Sequence, residues 1–413
     1  MKNLSGRTRF FLFSIIGIIL FFIPINGKIT IEYITGFIFP LLNQRINIFL
    51  LLGIGILSII QKPDNKFIFG MNILGLICAA ILYISPIFKF EFFNFVLGAS
   101  TTLARAAITV SITTIFVPFL LNYGLIETVG SFTKPVMRKI FKLPGQSAVV
   151  CASSTLGSSL VGILGAEHLY NTNRITKSES AIITTGFSTL SVGFMVFIST
   201  VYGFSNNFGL FFLSILLVTW LITIITARIP PISILKDDKQ IIIESEPKFS
   251  PKEALNAGIE VATKAPIILI SLKQSFERML KVIPSMITSA LFLSVVVLFI
   301  NNHTDLLYYI GLPFVQILRL FNIGGLDIIA RTIGISLVDT MPAVAYSSTF
   351  DLPMATKYIL AVFPISTIVY FGAYYICLSV TNVKLKLSTI FFTWLIRISL
   401  SLLFLGIIAS IVF

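Results

Sequence analysis

Nine apolar runs dominate the sequence, and polar residues gather in the stretches between them: Phe10–Ile25, Ile46–Ile60, Phe67–Ile87, Leu103–Leu121, Ala181–Val201, Phe208–Thr226, Ile283–Ile300, Tyr358–Val380 and Thr389–Phe413. A bilayer core of about 30 Å needs roughly 20 apolar residues wound as a helix, so each run predicts a membrane-spanning helix. Ile29–Leu42 is apolar too, but it is short and interrupted by Gly36 and Pro40. It predicts an interfacial or half-inserted segment.

Two further stretches have the length of a span and a different texture. Leu143–Gly165 (LPGQSAVVCASSTLGSSLVGILG) and Ile323–Ser347 (IGGLDIIARTIGISLVDTMPAVAYS) are dense in Gly, Ser, Thr and Ala. Small residues allow close helix contact, whereas a bent re-entrant backbone is tolerated only when buried in protein or lining a cavity. Charge placement separates these readings. With Lys2, Arg7 and Arg9 inside, four spans return the chain to the inside at Lys134, Arg138, Lys139 and Lys142. A full crossing by Leu143–Gly165 would then leave the basic loop from Lys236 to Lys281 outside, against the positive-inside tendency. A hairpin that dips in and returns on the same side removes the conflict and keeps Arg174 and Lys177 inside. Counted onward, the second stretch dips from the opposite side. The predicted fold is therefore all-α: a polytopic helical membrane protein with about nine transmembrane helices and two opposed re-entrant hairpins.

An internal repeat runs through this pattern. Leu156-Gly157-Ser158-Ser159-Leu160-Val161 matches Ile333-Gly334-Ile335-Ser336-Leu337-Val338, and Ser188-Thr189-Leu190-Ser191-Val192 matches Ser366-Thr367-Ile368-Val369-Tyr370 at nearly the same offset. The chain divides accordingly into N-terminal helices (1–90), a first repeat (91–228, hairpin 143–165), a polar connector (229–282) and a second repeat (283–413, hairpin 323–347). In the connector, Pro230-Pro231, Asp237-Asp238 and Glu244–Pro251 predict a flexible linker. Lys252–Lys281 alternates apolar and charged residues like a helix lying on the membrane surface. Gly-interrupted segments at corresponding positions of two halves are a pointer to the binding site of a transporter.

Composition agrees. Of 413 residues, 56% are hydrophobic and only 11% charged, whereas a soluble domain carries about a quarter charged residues to face water. Unbroken apolar runs also exclude a transmembrane barrel, whose strands alternate in short segments. The net charge of +13 comes from Lys and Arg between spans, where they orient helices, and no nucleic-acid partner is expected. The three cysteines, Cys78, Cys151 and Cys377, fall inside apolar stretches, and His168 and His303 have no second ligand nearby. Neither a disulfide framework nor a metal cofactor is expected. No small-residue cleavage site follows Phe10–Ile25, which predicts a retained helix rather than a cleaved signal.

Gly6-Arg7-x-Arg9-Phe10-Phe11-Leu12-Phe13-Ser14 before a span, and Leu143-Pro144-Gly145-Gln146-Ser147-Ala148 opening a Ser/Gly hairpin, resemble the YjiH family of bacterial inner-membrane proteins. That family carries the nucleoside-recognition, or gate, domain shared with concentrative nucleoside transporters and FeoB iron transporters. The resemblance covers most of the chain, with the gate portion from about Phe95 to Tyr202 and again toward the C-terminus. It implies a multi-pass bacterial inner-membrane protein with a cytoplasmic N-terminus. The implied function is a secondary transporter, or a permease subunit, for a small polar solute such as a nucleoside. No cofactor is expected apart from a coupling ion, Na⁺ or H⁺, should transport be ion-coupled, and a second gate-domain protein or another copy of the chain is a possible partner. The alternative it implies is a gate-fold scaffold that works with a second membrane protein and transports nothing. An intramembrane enzyme would need a Ser/His/Asp set, paired carboxylates or a metal motif at membrane depth, and the sequence offers none.

Ionisable groups at membrane depth are costly, and functional by default. Asp327 and Arg331 stand four apart on one helix face and are expected to pair. Asp339 follows at Val338-Asp339-Thr340-Met341-Pro342, where a helix should stop and free backbone groups to bind a cation or a solute hydroxyl. With Ser336 and Thr340 it forms the candidate site of the second hairpin. Gln146, Ser147, Ser153, Ser154, Thr155, Ser158 and Ser159 are the candidates of the first. Any one of these hydroxyls could instead bond its own helix backbone. The two tips are expected to face one polar cavity near the bilayer midplane. Arg105 is expected near a helix end with its head toward the interface, an anion-binding role being the alternative, and Glu167 and His168 are expected in solvent.

Overall fold

The computed structural model describes residues 5–63, 65–88, 94–236, 250–371, 373–379 and 381–413. The Asp237-Asp238 pair and most of the linker expected at Glu244–Pro251 lie outside these residues. The described chain is helical, with one isolated bridge, Ile25 to Lys28, between the first two helices.

Six stretches are long and apolar enough to cross a membrane on their own. They are α4 (Lys66–Phe88), α5 (Asn94–Phe116), the pair α10 (Lys177–Phe187) and α11 (Val192–Tyr202), α12 (Phe208–Thr226), α14 (Ile268–His303) and α20 (Leu387–Val412). Helices α1 (Gly6–Phe22) and α3 (Gln44–Ile60), each 17 residues, sit at the lower end of the spanning range. The pair α18 (Met354–Thr367) and α19 (Ala373–Ser379) supplies a further crossing, interrupted like α10–α11. Each of the nine apolar runs thus has a helix or an interrupted helix among the described residues, six of them long and apolar enough to cross alone. The segment read as interfacial forms the short helix α2 (Thr30–Ile38), which meets α3 at a bend of 111°.

The remaining helices do not cross. After a four-residue turn of helix, α6 (Pro118–Leu121), come α7 (Leu125–Val136) and the hairpin of α8 (Ser147–Leu156) and α9 (Ser159–Asn171). In the second half, α15 (Leu306–Arg319) precedes the hairpin of α16 (Leu326–Ser336) and α17 (Thr340–Ser347). Helix α13 (Pro251–Lys264) joins the halves. The succession span, short amphipathic helix, hairpin, broken span, span occurs twice: α5 to α12, then α14 to α20.

Local chemistry sets these boundaries. Thr176 and Glu179 form a reciprocal capping box that starts α10 on the far side of the first hairpin. Ser191 caps α11 through the Phe194 amide, restarting the helix after four unwound residues. Close crossings rely on glycine: a Cβ on Gly130 would press on Val149 of α8, and one on Gly334 would strike the Leu307 carbonyl of α15.

Three contacts orient the halves. The Glu167 carboxylate in α9 accepts from the Asn382 amide, just past α19, at 2.8 Å. At the other end the Tyr202 and Ser347 hydroxyls, closing α11 and α17, meet at 2.6 Å. Near the centre the Tyr374 hydroxyl of α19 donates to the Thr184 carbonyl of α10 at 2.9 Å. Helix α10 therefore begins where α19 ends, and α11 ends where α17 closes. The broken spans are antiparallel, and the two hairpins open on opposite faces. Phe22 stacks on Phe208, so α1 ends beside the start of α12 and begins on the face where the first hairpin opens. Arg9 there donates to the Ala265 and Pro266 carbonyls, both at 2.6 Å. That face also carries Arg174, Lys177, Arg228, Lys384 and Lys386; it is the basic face. Glu167 thus links the two halves through a hydrogen bond that remains exposed.

Candidate functional site

The first hairpin turns at Gly157 and Ser158, where Ser158 is extended (φ −168°) before α9 begins. Its last α8 turn lies against the gap in α10–α11. The Thr155 hydroxyl donates to the Cys151 carbonyl at 2.9 Å and comes within 3.5 Å of the Phe187 carbonyl. Across the gap, the Thr189 hydroxyl donates to the Thr155 carbonyl at 3.3 Å. Gly162 makes this approach possible, because a Cβ there would collide with the hydroxyls of Ser154 and Ser188. Ser154 is fully buried and its hydroxyl has no partner among the described residues. Ser153 and Ser159 flank the turn, half-buried.

The second hairpin repeats the arrangement with a carboxylate in it. Asp339 is the extended N-cap of α17 (φ −160°), and its carboxylate accepts from the Met341 amide at 3.0 Å. Thr340 and Ser336 are buried beside it, and the Ser336 hydroxyl donates to the Ile333 carbonyl at 2.8 Å. The tip is fastened to the second gap, where the Phe371 amide donates to the Leu337 carbonyl at 2.8 Å. Ile368, first residue of that gap, has φ +61°, a left-handed conformation that costs a β-branched residue about 1–3 kcal/mol and persists only where its surroundings impose it.

Arg397 of α20 is what surrounds it. Its side chain is fully buried and spreads across the open end of α18, donating to the Thr367 carbonyl at 2.8 Å and the Ser366 carbonyl at 2.7 Å. A third nitrogen reaches the Thr223 hydroxyl at 3.4 Å, and that hydroxyl lies 3.1 Å from the Gly186 carbonyl at the end of α10. One polar chain thus runs from the first gap to the second: Gly186, Thr223, Arg397, Thr367. Among the described residues no carboxylate is a hydrogen-bond partner of the guanidinium, and carbonyl dipoles face its charge. Arg397, Thr223 and Thr189 are absent from the sequence-derived candidates. Arg397 was detectable, as the only ionisable residue within Thr389–Phe413.

Other candidates lie elsewhere. Gln146 and Ser147 stand at the mouth of the first hairpin, about 15 Å of helix rise from its tip. Gln146 donates to the Arg174 carbonyl at 3.0 Å and Ser147 to the Pro144 carbonyl at 2.6 Å; both tie the mouth together. Arg331 does not pair with Asp327. It bonds Asp305 at 2.6 Å and the Asn301 side chain at 3.4 Å, and lies over the Tyr308 ring, because the α14–α15 corner presents a carboxylate closer than the next turn of α16. Removing Asp327 therefore does not orphan Arg331. Arg105 stands at the middle of α5 rather than near an end, because that helix begins at Asn94, well before the apolar run read from the sequence.

Residues 103–205, from α5 through α11, match the family model described as nucleoside recognition (Gate). An uncharacterized protein of Alkalihalophilus pseudofirmus is 27% identical, over 93% of this chain and 90% of its own. Among solved structures, CNTnw in an inward-facing substrate-bound state is 14% identical with a TM-score of 0.44, covering 98% of this chain and 96% of that one. A substituted CNTnw in an outward-facing state is 13% identical with a TM-score of 0.46, at the same coverage.

Proposed function

We propose that this multi-pass membrane protein is a secondary transporter, or the permease subunit of one, for a small polar solute, and that it works in a bacterial inner membrane. The observation that carries this reading is the pair of hairpins that open on opposite faces, each with its tip bonded to an unwound stretch of a spanning helix. Unwound backbone at membrane depth is tolerated only in protein or along a cavity, and discontinuous helices from inverted repeats are how transporters build midplane sites. The match of residues 103–205 to the nucleoside-recognition model makes nucleosides the first solutes to test. The binding groups in this proposal are Ser154, Thr155, Ser158 and Ser159 of the first tip with Thr189 beside it, and Ser336, Asp339 and Thr340 of the second, around one cavity. Neutral hydroxyls suit a nucleoside or sugar-like solute, and the Asp339 carboxylate suits a coupling Na⁺ or H⁺.

The basic face is the cytoplasmic one in this proposal, by the positive-inside tendency. Single cysteines at positions 139 and 174 are expected to resist an impermeant thiol reagent in intact cells and to react with it in inside-out vesicles. Labelling at 174 alone in intact cells would put the ends of the first hairpin on different sides and break the topology. For transport, the purified protein in proteoliposomes is expected to accumulate one labelled nucleoside or other small polar solute under an imposed Na⁺ or proton gradient. Failure with every solute, together with co-purification of a second gate-domain membrane protein, would favour the scaffold.

A further inference from the structure

A cavity lined by both polar and apolar side chains, Phe197 and Val201 among them, lies away from the hairpin tips. It has a volume of about 190 Å³ and is lined by Thr102, Arg105 and Thr109 of α5, Thr200 of α11, Ser348 past the end of α17, and the ring of Phe39 beyond α2. None of the residues lining it is a carboxylate. Thr102, Arg105 and Thr109 are spaced to share one face of α5, the face that also brings Thr102 to 3.4 Å from Ser348.

Two groups in this cavity are incomplete. Among the described residues the Arg105 guanidinium meets the face of Phe39, 5.5 Å from the ring centroid, and no hydrogen-bond acceptor. A cation in the middle of a spanning helix normally pairs with an acid or with carbonyls, as Arg397 does. Thr109 is 2% exposed, and its hydroxyl has no partner. Its neighbours Thr113 and Thr114, by contrast, bond carbonyls one turn back in the same helix. A buried hydroxyl without a partner is costly, and the exposed Arg105 side chain leaves its guanidinium donors open to a ligand. The two stand one helical turn apart, about 5–6 Å between Cβ atoms, within reach of one ligand.

We propose that this cavity binds a small organic anion, whose carboxylate or phosphate is held by the Arg105 fork and the Thr109 hydroxyl, with its carbon body against Phe39. Guanidinium recognises both groups with two parallel hydrogen bonds. The volume limits the ligand's size: 190 Å³ is the share of about six waters in the liquid and lies below the roughly 300–1,000 Å³ of sites for larger ligands. The site stands whether or not the chain transports anything, because no hairpin-tip residue lines it.

The test uses purified full-length protein in neutral detergent, with matched probes: lactate against 1,2-propanediol, and glycerol 3-phosphate against glycerol. The anions are expected to raise the unfolding midpoint and to give a calorimetric binding isotherm, while the neutral partners do neither. Arg105→Gln should weaken binding by about tenfold or more, the loss of one charge-assisted pair, and Arg105→Lys should retain part of it. Thr109→Val gives a smaller loss and carries the test if Arg105→Gln fails to fold. Equal effects of charged and neutral probes, or anion binding unchanged in Arg105→Gln and Thr109→Val, would overturn the proposal. A lipid headgroup offers the same chemistry. Stabilisation of phosphatidylcholine proteoliposomes by added phosphatidylglycerol, with no response to either free anion, would assign the cavity to lipid and also overturn it.

Discussion

Replacing Arg397 with methionine is expected to destabilise the folded protein by about 2–4 kcal/mol, because two buried carbonyls lose their donors at about 1–3 kcal/mol each, less the relief of no longer burying a charge. Methionine is close in length and leaves no large cavity, so the loss reports the polar contacts. The carbonyls of Ser366 and Thr367 end α18 immediately before Ile368, and in hydrocarbon they have no water to turn to. Without the guanidinium, the left-handed residue at the gap loses the contact that holds it. Arg397→Lys keeps the charge and gives up the planar fork that spans two carbonyls, so it should fall between the wild type and Arg397→Met. The measurement is the thermal unfolding midpoint of purified protein. A wild-type midpoint for Arg397→Met would show that the gap holds its shape without the cation.

The second large effect is functional. Asp339→Asn is expected to abolish solute- or ion-dependent transport while leaving stability within about 0.5 kcal/mol, because asparagine caps a helix as well as aspartate does. The Met341 amide keeps its acceptor and only the negative charge is lost. Asp339→Ala should lose the same activity and, in addition, about 1 kcal/mol of stability with the cap. Thr340→Val and Ser336→Ala should weaken uptake without abolishing it. Uptake into proteoliposomes and unfolding midpoints together separate the two roles of this carboxylate. Wild-type uptake by Asp339→Asn would reduce Asp339 to a helix cap.

Much of this architecture was legible because the bilayer is an exacting solvent. The long apolar runs could be little other than spans, and the small-residue stretches at 143–165 and 323–347 were too polar to face lipid. The charge arithmetic around Lys139 and Arg174 matched the first hairpin to a fold that opens on one face. The register of the repeat was less legible. By sequence match Ser158 falls opposite Ile335, yet in the hairpins its counterpart is Asp339, since both are the extended residue that starts a return helix. Sequences built from Gly, Ser, Ile and Leu match at several offsets one helical turn apart, whereas only one residue can cap. The Asp327–Arg331 pairing went astray for a related reason. The i, i+4 rule describes an isolated helix surface, and Arg331 is packed against the corner of another helix, where Asp305 lies closer. Arg397 carried a plain signal, one charge in an apolar run, but its role depended on knowing that α18 ends opposite it.

Helix α14 also acts as a gauge. Its 36 residues extend about 54 Å, against roughly 30 Å of hydrocarbon. From Pro284 to its end at His303 is about 30 Å. Lys273, Arg278 and Lys281 precede that stretch, and Asn301, which holds Arg331 next to Asp305, lies at its far end. The polar groups at the two ends are thus set one ordinary bilayer apart. A thicker membrane would draw either the Lys281 ammonium or the Arg331–Asp305 pair toward the acyl chains, at a cost of fractions of a kcal/mol for each ångström of mismatch. Lipid chain length is thereby a physical variable for this protein, one that bears on its rigid frame before it reaches the hairpins.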